Sequence, residues 1–164
     1  MQRVCAHRAN FNEGRHLRRS LTASVLGAAL LAVSLTGLAL AGGTLVSASH
    51  NSKLRASILV NAQGRTLYVL SPESTHHLLC TSSSCLAVWP ALTVSSSSTK
   101  LTLGAGAHGK LGLLRRGSHT LQVTLNGLPL YLYAGDSSRG EANGEGVATF
   151  GGTWHAVLAS GRPR

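Results

Sequence analysis

Apolar residues are spread unevenly along this chain. From Ser20 to Ser49 no charged residue occurs, and Leu21–Ala41 is almost wholly Leu, Ala, Val, Ser, Thr and Gly. Beyond Ala48 the pattern changes to short β-prone runs separated by Gly, Pro, Asn and Ser. Ala56–Asn61, a turn at Ala62-Gln63-Gly64, and Arg65–Leu70 predict a hairpin that Pro72 ends. Leu86–Val94 is apolar around Trp89-Pro90, and the serines Ser95–Ser98 follow it. Lys100–Leu103 and Leu111–Arg116 predict short strands. The clearest hairpin is Thr120–Leu125, Asn126-Gly127, Leu128–Tyr133, because Asn-Gly is the strongest short turn signal. A polar, Gly-rich loop covers Gly135–Gly146, and Thr153–Leu158 predicts a last strand. No stretch after Ala48 keeps a helical period.

The two hairpins overlay at an offset of 63 residues: Val60 on Val123, Gly64 on Gly127, Leu67 on Leu130, Tyr68 on Tyr131 and Glu73 on Asp136. Each half then reaches a tryptophan, Trp89 or Trp154. The pattern predicts an all-β domain, a small antiparallel sandwich or barrel-like fold of two related hairpin units, preceded by one N-terminal hydrophobic helix. The expected divisions are a basic arm at 1–19, a signal peptide or membrane anchor at 20–48, a linker at 49–56, the β domain at 57–160 and a tail at 161–164.

Charge sharpens the reading of the N-terminus. The net +10 divides into +4 over the first nineteen residues (five Arg, one Glu) and +6 beyond them (ten Lys or Arg against Glu73, Asp136, Glu141 and Glu145). A basic arm followed by an apolar run and small residues has the order of an export signal. Ala39-Leu40-Ala41 and Val46-Ser47-Ala48 both fit a cleavage site. If uncleaved, the run would anchor the chain with its Arg-rich end inside and the β domain outside. The surroundings of Arg18-Arg19 match a twin-arginine signal poorly. The basic residues of the domain are scattered and aromatic residues make up only 4% of the chain, so nucleic acid is not an expected partner. A cell-envelope component is.

Cys80 and Cys85 flank Thr81-Ser82-Ser83-Ser84 in the exported part, where oxidising conditions favour a local disulfide. No further Cys or His at finger spacing completes a zinc site. The run Ile58–Ser71, the stretch from Cys80 to Pro90, Gln122–Tyr131 with its Asn-Gly turn, and Gly151-Gly152-Thr153-Trp154 together resemble the secreted-repeat lipoproteins of bacteria, a family of unknown function described by a Tyr-x4-Asp motif. Tyr131 to Asp136 has that spacing, and Tyr68 to Glu73 has it with Glu for Asp. One departure stands out. Leu40-Ala41-Gly42 is followed by Gly43, not the Cys that lipidation requires, so no lipid anchor is expected.

Tyr68, Glu73, Tyr131 and Asp136 are the candidate ligand residues. Their structural alternative is a packed Tyr whose carboxylate caps the following turn. Asp136, Glu141, Asn143 and Glu145 form an oxygen-rich loop of the kind hard cations prefer, although the spacing is not that of an EF-hand. Histidines 76, 77, 108, 119 and 155 are too scattered to predict a transition-metal site. Gly104–Gly109 matches a dinucleotide fingerprint literally but lacks the helix and the ribose-binding acid. No cofactor and no catalytic constellation is predicted. The expected function is a non-enzymatic, exported binding or structural domain. The alternative is a metal-binding or redox-associated extracytoplasmic protein.

Overall fold

The computed structural model describes residues 45–164. The basic arm, the hydrophobic helix and the Ala39-Leu40-Ala41 site lie outside them. Among the described residues no helix is long and apolar enough to cross a membrane.

The fold is all-β, in small antiparallel sheets with no closed barrel. β1 (Val46–Asn51) pairs with β2 (Ala56–Asn61). β3 (Tyr68–Ser71) pairs with β9 (Gly152–Ala156), which also carries β8 (Ala148–Thr149). β6 (Thr120–Leu125) is flanked by β4 (Thr93–Val94), β5 (Leu111–Arg116) and β7 (Leu128–Pro129). One short helix, α1 (Ser83–Val88), lies between β3 and β4.

Three boundaries differ from the expected ones. Val46–Ala48, assigned to the export segment as a cleavage motif, and the first linker residues form β1, with Val46 fully buried. The uncharged run hides this strand, because its small residues continue the composition of the export signal. The tail at 161–164 also belongs to the fold. The Arg164 N–H donates to Ala156 O at 3.0 Å, and the Asn126 side-chain amide donates to Gly161 O at 2.9 Å. Finally, Lys100–Leu103 forms no strand of its own: Leu103 makes a parallel bridge to Val46, and Thr102 O accepts the Leu45 and Val46 N–H groups.

The Asn-Gly hairpin forms as its chemistry requires. Asn126 and Gly127 both have positive φ (52° and 82°), the conformation of a turn whose twist matches the strands it joins. α1 is too short to show a period. It starts where the Ser82 hydroxyl accepts the Cys85 N–H at 3.2 Å, and the Cys80–Cys85 disulfide ties its first turn to the preceding loop.

Two apolar clusters form the core, and adjacent residues of one strand enter different clusters. Ile58, Tyr68 and Leu70 join Trp89, Tyr131, Trp154 and the disulfide. Leu59, Leu67 and Val69 join Val46, Val123, Leu130 and Val157. The segments Ile58–Val60 and Leu67–Leu70 are therefore apolar without alternation, because both of their faces are covered.

The buried position of Val46 bears on processing. Burying a valine stabilises a fold by about 1.5–3 kcal/mol. A chain beginning at Ser49 is expected to unfold at lower urea concentration than one beginning at Leu45, by about that free energy. Equal midpoints would show that the start of β1 is dispensable.

Candidate functional site

The two motif tyrosines meet at the centre of the domain. Tyr68 and Tyr131 form an antiparallel bridge, each N–H donating to the other's carbonyl at 2.9 Å, and both side chains are fully buried. The surrounding contacts recur with the units exchanged. Trp89 and Trp154 stack on each other with centroids 3.8 Å apart and planes 4° from parallel. Tyr68 meets Trp89 edge-on at 5.5 Å, and Tyr131 meets Trp154 edge-on at 5.1 Å. Leu92 N–H donates to Leu130 O and accepts Val123 N–H on its own carbonyl. Val157 does the same with Leu67 O and Leu59 N–H. The 63-residue overlay is therefore an approximate two-fold relation in space at Leu67/Leu130 and Tyr68/Tyr131, but Leu59 rather than the expected Val60 takes the place of Val123, one residue out of register.

The carboxylates cross between the units. The Tyr68 phenol donates to Asp136 Oδ2 at 2.7 Å, while Asp136 Oδ1 accepts the Asn143 N–H at 2.9 Å. In the other unit, Glu73 Oε1 accepts the Leu79 and Cys80 N–H groups at 2.9 and 3.0 Å. Glu73 also stands close enough to Tyr131 to act on its phenol. Arg116 closes this second half: its Nη2 donates to the Tyr131 hydroxyl at 2.9 Å and to Cys80 O at 2.8 Å, 3.9 Å from Glu73 Oε1. Each acid thus caps its own downstream loop and faces the other unit's tyrosine. Gly144 makes room for this arrangement, since a Cβ there would come within 2.8 Å of the Trp89 ring.

Burial dominates the electrostatics. Both phenols are pushed well above the ordinary tyrosine range, first by desolvation and then by the carboxylates, Asp136 for Tyr68 and Glu73 for Tyr131. Desolvation also raises the Asp136 carboxyl, outweighing the opposing hydrogen bonds from Tyr68 and Asn143. Glu141 moves the other way, lowered by the Ser138 and Ser137 N–H groups.

Tyr68, Glu73, Tyr131 and Asp136 are thus brought together, but their polar ends turn inward. Glu73 alone also borders a cavity, of about 300 Å³, beside Leu70, Pro72 and Leu128. In the oxygen-rich loop, Glu141 Oε2 accepts the Ser137 N–H at 2.6 Å, and Asn143 Oδ1 accepts from Lys53 Nζ at 3.2 Å. Glu145 instead accepts the Ala156 N–H at 2.7 Å and lies 3.3 Å from His155 Nδ1. Backbone amides and a lysine hold the oxygens that a cation would use. Among the described residues no group of three or more His, Cys, Asp or Glu side chains is placed to hold a metal ion. Sequence reasoning missed Arg116. The signal was faint: it lies 63 residues after Lys53, and the two reach equivalent points, Cys80 and Asn143.

Removing one partner of a buried charged hydrogen bond costs about 1–3 kcal/mol. Tyr68→Phe is expected to lose that much in urea denaturation at neutral pH. A double-mutant cycle with Asp136→Asn should return a coupling of about 0.5–3 kcal/mol, and additive losses would dissolve the pair. The pH dependence has a definite sign. With its folded pKa raised, Asp136 binds its proton more tightly in the native state, so its contribution is fully present below the ordinary aspartate pKa of 3.8 and is lost as pH rises through the raised value. The stability of the wild type minus that of Asp136→Asn should therefore fall as pH increases over this range. A rise would overturn the assignment.

No curated protein and no solved structure matches the chain. Residues 115–158, which carry Arg116, Tyr131, Asp136 and Trp154, match the model of a family described as a secreted repeat of unknown function.

Proposed function

We propose that this chain is an exported, extracytoplasmic β domain that binds an anionic component of the cell envelope and catalyses no reaction. The carrying observation is a cavity of about 300 Å³ between the β5–β6 hairpin and the helix tied by the disulfide, lined by Leu78, Thr81, Leu86, Arg115, Arg116 and Gly117. Arg115 is exposed at its rim, and Arg116 is held from behind by Cys80 O and the Tyr131 hydroxyl. Guanidinium groups suit phosphate or carboxylate, which they can grip with two parallel hydrogen bonds. Half-buried Leu78 and Leu86 add an apolar wall beside them. The net +6 of the chain beyond its first nineteen residues favours approach of such a partner.

Export is supported by the Arg-rich arm, by the uncharged segment behind it, by the family description of residues 115–158 and by the Cys80–Cys85 disulfide. Cleavage after Ala41 would leave β1 whole, and an uncleaved segment would anchor the same domain at the membrane.

Sedimentation of the protein with a phosphate-bearing wall polymer tests the groove. Arg115→Glu should weaken binding by about ten-fold or more, or 1.4 kcal/mol, and added salt should weaken the wild type. Arg55→Glu makes the same charge change outside the groove lining and should bind more tightly than Arg115→Glu. Equal binding by the two variants would reduce the effect to net charge and remove the groove.

A further inference from the structure

We propose that the tyrosines and tryptophans of this domain form a one-electron relay that runs from the surface at Tyr133 to a proton-coupled end point at Tyr68 and Asp136. Every Tyr and Trp of the chain belongs to one connected set of rings. Tyr133 stacks on Trp89 at 4.4 Å, Trp89 on Trp154 at 3.8 Å, and Tyr68 meets both Trp89 and Tyr133, at 5.5 and 6.3 Å. Four of the rings are fully buried, and half-buried Tyr133 is the point where an external oxidant reaches the set.

The surroundings of each ring decide where an electron vacancy settles. A phenol that loses an electron becomes a strong acid, so the vacancy is trapped where a base can take the proton. Trp89 Nε1 is buried with no hydrogen-bond partner, so this ring cannot release its proton. Trp154 Nε1 donates only to the neutral Thr149 hydroxyl, at 3.2 Å. The Arg116 guanidinium lies 5.6 Å over the Tyr131 ring and its Nη2 donates to that phenol, which disfavours further positive charge there. Tyr68 alone donates directly to a buried carboxylate, Asp136 Oδ2, at 2.7 Å.

The step balances. One electron passes from Tyr68 through the stacked rings to a one-electron oxidant outside, which is reduced by one unit. The phenolic proton moves from Tyr68 to Asp136 Oδ2, leaving a neutral phenoxyl radical beside a neutral carboxylic acid. The Gly144 N–H, 3.3 Å from the phenol oxygen, remains a donor to the radical. Return of one electron from a reductant restores both groups. The relay runs through the core and shares only Arg116 with the envelope-binding groove.

Full-chain protein oxidised by a photogenerated ruthenium(III) polypyridyl complex tests the proposal by electron paramagnetic resonance and transient absorption. The wild type is expected to give a tyrosyl radical that forms more slowly in heavy water. Tyr68→Phe should lose that signal and leave a tryptophan radical. Asp136→Asn should lose the isotope effect and shorten the radical's life. Circular dichroism identifies variants that keep the fold. A folded Tyr68→Phe protein with the wild-type tyrosyl yield would overturn the end point. If neither variant folds, the wild type still decides: equal rates in light and heavy water would remove the coupled proton and the proposal with it.

Discussion

The reciprocal hydrogen-bonded pair of Tyr68 and Tyr131 main chains is the constraint around which the domain is organised. Two strand ends from distant parts of the chain are fixed there in register, and their phenols are directed into the opposite units. Because those phenols are buried, each needs a polar partner: Asp136 for Tyr68 and the Arg116 guanidinium for Tyr131. The two acids in turn cap the loops that follow them, Asp136 at the Asn143 N–H and Glu73 at the Leu79 and Cys80 N–H groups. The loops that follow the tyrosine strands are therefore positioned by the same groups that satisfy the core. Truncating one member would leave its buried partner unmatched, so the parts stand or fall together.

Within that common plan the halves are finished differently. After Glu73 the chain is closed covalently, by the disulfide across α1, and Arg116 lies over the loop. After Asp136 the equivalent place is held by hydrogen bonds among Ser137, Glu141 and Asn143, with a lysine in the position of the arginine. The first arrangement opens a groove lined by arginine and leucine, and the second fills its loop with its own polar groups. Asymmetry imposed on a symmetric core is what distinguishes one face of this domain from the other.

Much of the fold was legible because its signals are local. β2, β5 and β6 coincide with the apolar runs, and the Asn126-Gly127 turn with its dipeptide. β1 was not, since Val46-Ser47-Ala48 reads as a continuation of the export segment and only its pairing with β2 makes it a strand. α1 was missed because six residues carry no measurable period and its cap, Ser82, is one serine among several. The candidate site was half legible. The overlay identifies the two tyrosines and two acids, but it reads the same whether each acid serves its own tyrosine or the other's. Only the tertiary pairing separates these, and it packs both tyrosines in the core with each acid capping the loop that follows it.

The exchange of partners has an evolutionary corollary. One unit alone would expose a tryptophan face and leave a phenol and an acid unmatched, so neither half is a self-sufficient module. The 115–158 segment recognised as a repeat is accordingly half of a folding unit, and the other half must come from the same chain or from a second one in its place.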